Sequence, residues 1–322
     1  MSIWYRLTPT DTLFFRGAEP MEAGQLSGTA LFPPPVSVIA GALRSEALRQ
    51  KNISFADYNR CVCPPEVVAL LGKSGEPAPF AVTAILLEKA GAFYLPCPAH
   101  WFTEKDKAAN GANKKILRGK PPEENAAISL NLHSSAGLAL PMVLTETEPV
   151  PLNGHWLRLR QDCLNADEIA ADDLPPSSHF YDTEPRTGIA LDDKRRVKDG
   201  KLYSAAHIRL CPDVALVIAI DLDLGLRSDG MLPLGGERRL CGYKQIADPV
   251  PPTSPNQAAL YLALTPVELT AEILPHVFAT GKPAMLAGWD LHTGFHKPSA
   301  SWLPAGAVFT KNINKFCLPL PR

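Results

Sequence analysis

Hydrophobic and polar residues alternate or cluster in short runs along this chain, and few stretches show a helical period. Ile3 to Leu7 reads as a strand closed by Thr8-Pro9, followed by a loop from Asp11 to Leu31 that carries an apolar insert, Leu13-Phe14-Phe15. After Pro33-Pro34-Pro35, apolar residues Val38, Ala42, Leu43 and Ala47 recur at helical spacing. They predict a helix over 38–50 with Ser37 as its N-cap and Gly41 where close packing or ligand approach would need it. Phe80 to Glu88 and Trp156 to Arg160 read as strands, as does Leu138 to Thr145. Val214 to Leu222 is the strongest strand signal, apolar enough to be central in a sheet. Asp182 to Tyr203 predicts a protruding hairpin, with turn chemistry at Asp192-Asp193 and Asp199-Gly200. Ala259 to Pro266 echoes the opening strand-Thr-Pro pattern and hints at a duplicated unit beyond the proline cluster 249–255. The elements together predict an α+β chain with antiparallel sheets.

Composition narrows the picture. The 322 residues include 32 prolines, which limits helices because proline lacks a backbone donor and fixes φ. Charged residues make up 20% and apolar residues 46%, as in an ordinary soluble protein. No apolar run is long enough for a signal peptide or membrane span, and seven scattered cysteines fit free thiols, so the chain reads as cytoplasmic. Net charge is −1, which argues against non-specific coating of nucleic acid. Any nucleic-acid contact therefore has to come from local basic patches.

The sharpest such patch is Gly235-Gly236-Glu237-Arg238-Arg239. Two glycines can turn backbone N–H groups toward an anion, and the arginines can supply bidentate phosphate donors. The blander account is a turn with solvated arginines. Lys194-Arg195-Arg196, with Lys198 and Lys201, forms a second cluster on the hairpin, and a solvated tip is the simpler account of it alone. Lys105 to Asn125 reads as a soluble, mobile loop. Gly72-Lys73-Ser74 is not a P-loop, because Val67 stands where the motif needs glycine. His292 and His296 lack the helix and glutamate of a zinc motif. His207 is the one histidine in a stretch connected with RNA, and a packed strand histidine is the blander account.

Several pieces, in order, resemble a known family. Asp11-Thr12-Leu13-Phe14-Phe15-Arg16 and Phe32-Pro33-Pro34-Pro35 through Arg44 look like the start of the third Cmr subunit, a RAMP protein of type III-B CRISPR effector complexes. Glu184 to Asp192 with Gly200 to Tyr203, the loop Leu234 to Arg239, Gly288-Trp289-Asp290 and Pro304 to Phe309 continue the resemblance nearly to the C-terminus. It implies two ferredoxin-like (RRM-related) units with antiparallel sheets, long insertions and a protruding hairpin, divided here as 1–248 and 256–322. It also implies a non-catalytic subunit that holds the 5′ tag of the CRISPR RNA, docks the large signalling subunit and touches the first backbone RAMP subunit, with no cofactor, metal or membrane.

The residues expected to line the RNA groove are Arg16, Ser37, Arg44, Arg186, Lys194, Arg195, Arg196, Gly235, Gly236, Arg238 and Arg239. Three alternatives stand beside this one: the equivalent adaptor of a type III-A complex, a metal-independent endoribonuclease using His207 as base, and a wedge that contacts only protein.

Overall fold

The computed structural model describes residues 2–15, 30–105, 113–121, 141–143, 145–250, 260–287, 289–290, 295–313 and 317–320. It is a mixed fold of mostly antiparallel strands with few helices. The chain divides into two compact units of interleaved segments, one formed by Met1–Val82, Phe180–Ala247 and Met285–Ala300, the other by the remainder.

In the first unit, strand Ile3–Pro9 lies between strands Val214–Ile220 and Leu240–Ile246, antiparallel to both, and Leu240–Ile246 pairs in turn with Asp229–Pro233. Register follows the pleat. Tyr5 and Leu7 point into the core beside Tyr243 and Cys241, while Thr8 remains exposed. Every residue of Val214–Ile220 is buried, which explains its unbroken apolar run.

Helix α1 (Val36–Gln50) begins two residues before the expected start. Pro35 precedes it, and its carbonyl accepts from the N–H of Val38 at 3.0 Å, so Ser37 is an exposed first-turn residue and not the cap. The buried stripe accordingly runs through Ile39, Ala42, Leu43, Glu46, Ala47 and Leu48, and Val38 lies only half-buried. Gly41 does not mark close packing: a Cβ there would meet nothing within 4 Å. Glu46 occupies a core position because Arg49 (2.6 and 2.7 Å) and Gln50 (2.6 Å) donate to its carboxylate. Gln50 also donates to the Tyr243 hydroxyl at 2.6 Å, which ties the helix to the sheet beneath. Two short helices, Phe55–Asn59 and Pro65–Leu71, escaped the sequence pattern. The second ends at Gly72, whose φ of 75° lets the chain leave the helix. Gly72-Lys73-Ser74 thus closes a helix, whereas a phosphate loop would open one.

The expected hairpin is present as strands Tyr181–Leu191 and Val197–Leu210, which pair antiparallel as their own two-stranded sheet. Its turn lies at Asp192–Arg196, where the Asp192 carboxylate accepts from the backbone N–H of Lys194 (2.9 Å) and Arg196 (2.8 Å). Asp199-Gly200 falls inside the second strand instead of in a turn, because Asp192 already satisfies the reversal.

In the second unit, Val82–Lys89 pairs with Ala92–Pro96, which pairs with Trp156–Arg158. The echo strand Leu260–Leu262 is flanked by Val308–Phe309 and Leu318–Leu320, above a core of Ala263, Leu303, Ala307 and Phe309. Lys114–Lys115 and Leu117–Arg118 form short strands inside the segment expected to be a mobile loop. Met142 bridges to Lys120, and the rest of the strand expected over 138–145 lies mainly outside the described residues. No helix among the described residues is long and apolar enough to cross a membrane.

Candidate nucleic-acid interface

The glycine-arginine segment is the connection between strands Asp229–Pro233 and Leu240–Ile246. It is closed at its base by Leu234 N–H donating to the Arg239 carbonyl at 2.8 Å. The two glycines are used for contact with the 11–15 segment. Gly236 N–H donates to the Phe14 carbonyl at 2.8 Å, and a Cβ on Gly235 would stand 2.5 Å from that same oxygen. Gly235 has φ 83°, which only glycine adopts freely. Gly236 therefore spends its donor on Phe14, and an anion does not receive it.

Beyond the glycines, Glu237 (φ 56°) and Arg238 (φ 53°) are both left-handed. Each such residue costs about 1 kcal/mol, and paired strain of this kind concentrates at functional loops. Arg238 is exposed, and among the described residues no hydrogen bond or ion pair engages it.

Arg239 has the opposite environment. Its Nη1 donates to Asp11 Oδ2 and its Nη2 to Glu237 Oε2, both at 2.8 Å, leaving the side chain 21% exposed. Asp11 also accepts from Arg186 (3.3 Å) and Arg209 (3.2 Å), and both of those arginines donate to Glu184, Arg186 at 2.8 Å. Three arginines from separate segments thus meet the three carboxylates of Asp11, Glu184 and Glu237. The cluster carries no net charge. The Thr12 backbone N–H and then Arg186 hold the Asp11 carboxyl below its usual range. Hydrogen bonds from Arg209 and Arg186 do the same for Glu184.

His207 closes the underside. Its Nδ1 lies 3.1 Å from Thr12 Oγ1, its Nε2 3.7 Å from Glu237, and the Phe14 ring stacks on it at 4.9 Å. The side chain is 1% exposed, and burial pulls its pKa down, with the nearby Arg186 and Arg239 charges adding to that. A histidine walled in this way is a packed strand residue, the blander of the two sequence accounts.

The expected site residues therefore separate. Gly235, Gly236, Arg186 and Arg239 do come together with the 11–15 segment, but as a neutral, internally paired cluster. Arg44 Nη2 instead donates to the Glu76 carbonyl at 3.4 Å. Ser37, Lys194, Arg195 and Arg196 are exposed, and Arg196 pairs with Asp192 at 3.0 Å. Arg16 lies outside the described residues. Sequence reasoning missed Asp11, Glu184, Arg209 and Glu237. A signal existed: Glu184 and Arg186 share a strand face with His207 and Arg209, because Glu184 pairs with His207 and Asp182 with Arg209.

The fold defines a class. The chain superposes with a TM-score of 0.56 on a chain of a type III-B Cmr-β complex solved with cognate target RNA and AMPPnP, at 20% identity, over 97% of this chain and 88% of that one. A chain of the same complex with cognate target RNA alone gives a TM-score of 0.55 at the same identity and coverage. This is the mixed, mostly antiparallel architecture of Cmr complex subunits. Residues 5–314 match the model of the CRISPR-associated protein family Cas_Cmr3, and the chain belongs to that family. No curated protein sequence matches it.

Proposed function

We propose that this chain is a non-catalytic, CRISPR-RNA-binding subunit of a type III-B ribonucleoprotein that acts in antiviral defence in the cytoplasm. It holds the 5′ tag of the guide and docks the large signalling subunit and the first backbone subunit. In this proposal the chain is built on two ferredoxin-like units, with an N-terminal RAMP domain over 1–248 and a second unit over 256–322. Family membership supports the assignment to a CRISPR system, and the observation that carries the RNA role is Arg238, an exposed cation in a strained loop that pairs with no carboxylate among the described residues. Lys194 and Arg195 at the hairpin turn, and Arg16, Ser37 and Arg44, extend the contact along a single strand of RNA, whose backbone the groove follows while bases splay. The buried, stacked position of His207 supports the non-catalytic assignment, since a general base must reach the proton it removes.

Photo-crosslinking from the tag nucleotides within the assembled complex tests this. A crosslink to the loop or the hairpin is expected. Crosslinks to every subunit except this one would leave only a protein-contacting wedge. Incubation of the chain with repeat RNA in EDTA addresses the enzyme alternative: specific cleavage abolished by His207→Ala would establish an endoribonuclease.

A further inference from the structure

Resting on the RNA-binding reading, we infer that the loop divides its work between its two arginines: Arg238 contacts the phosphodiester, and Arg239 is a positioning residue that touches no RNA. The sequence makes the two look equivalent, and geometry separates them. Arg239 bridges Asp11 and Glu237 with both terminal nitrogens at 2.8 Å, and its Nε, without a partner among the described residues, is buried away from any phosphate, so carboxylates take the guanidinium first. One of those carboxylates lies in the segment after the first strand and the other within the loop itself. Together with the Gly236–Phe14 hydrogen bond, they clamp the loop at its base and hold Glu237 and Arg238 in left-handed backbone. Arg238 is the residue that this clamp leaves exposed and, among the described residues, without a carboxylate. The same pairing removes Arg186 from the cations available to RNA, because Glu184 and Asp11 take its guanidinium.

The chemistry recognised is a single phosphodiester of single-stranded RNA, and the salt dependence of binding counts such contacts. Each one adds about 0.7 to the slope of log affinity against log salt for a single strand. Titration of the full-length chain with RNA bearing the 5′ repeat-derived tag, over a range of salt, separates the roles. Arg238→Gly is expected to melt no lower than the parent, since glycine relaxes a φ of 53°, yet to lose about 0.7 of slope. Arg238→Lys keeps the slope because an ammonium still neutralises one phosphate. Arg239→Lys is expected to keep the slope while lowering the melting temperature and weakening binding several-fold, because a point charge cannot span two carboxylates as a fork does.

The inference is overturned if Arg239→Lys or Arg239→Ala flattens the slope while Arg238→Gly leaves it intact. It is equally overturned if Asp11→Asn tightens RNA binding, for then Asp11 competes with phosphate for Arg239. Absence of salt-dependent binding by the unmutated chain, together with no tag crosslink in the complex, would overturn the RNA reading itself and is distinct from either result.

Discussion

Replacing Gly235 by alanine tests the clamp at its tightest point. The new Cβ would stand 2.5 Å from the Phe14 carbonyl oxygen and 2.9 Å from the Phe15 ring, at a φ of 83°. The left-handed backbone costs about 1 kcal/mol for a residue with a Cβ. Relief of the clash must displace a carbonyl that accepts the Gly236 N–H, which costs about 1 kcal/mol more. Pushing the fully buried Phe15 ring adds overpacking of similar size, so a total near ~3 kcal/mol is expected. For a unit of this size that lowers the melting temperature by roughly 6–12 °C in calorimetry. Gly154→Ala supplies the control: its φ is 86°, but a Cβ there meets nothing within 4 Å, so only the backbone cost of about 1 kcal/mol applies. Equal losses at the two positions would refute the close approach of loop and Phe14, and with it the clamp that orients Arg238.

Gly41→Ala should stabilise α1 by about 0.5–1 kcal/mol, since the helix interior has room for the methyl, and a rise in urea midpoint checks this. Glu46→Ala should cost about 2–4 kcal/mol by the same assay, because Arg49, Gln50 and Tyr243 lose a shared buried acceptor. Acid should loosen the loop cluster. The carboxyls of Asp11 and Glu184 are held low in the fold, so their stabilisation is complete above the ordinary carboxylate pKa and is lost as pH falls through their lowered folded values. His207 is likewise lowered, so its neutral form favours the fold, and stability begins to fall as pH drops below the ordinary histidine value of about 6.5. Melting temperature against pH should therefore decline first below neutrality and again below the carboxylate range, with His207→Gln shrinking the first step, which His100, His155 and His179, also lowered, share.

Much of the fold follows from local rules. The run Val214–Ile220 reads as a strand buried on both faces, and Ile3–Pro9 reads as a strand from its β-rich residues closed by Thr8-Pro9. The hairpin was legible from its turn residues, although which of two turn signals reverses the chain depended on Asp192 capping its neighbours. Helix α1 was legible in existence but displaced at its start, because three prolines obscure which carbonyl takes the first helical bond. Glu46 in the buried stripe could not be read from apolar periodicity, since it is a carboxylate kept in the core by donors from Arg49 and Gln50 in its own helix, with Tyr243 at 3.4 Å closing over it.

The glycine-arginine stretch shows the same boundary. Local chemistry alone determined that a turn with two adjacent cations lies there, because glycines and arginines side by side allow little else. Only the tertiary structure decided what the cations do. Charge pairing acts through space, and Asp11 lies 228 residues from Arg239 along the chain. Strand pairing brings Asp11 onto arginines of other segments, and with Glu237 beside it this neutralises one guanidinium of the loop and leaves its neighbour exposed.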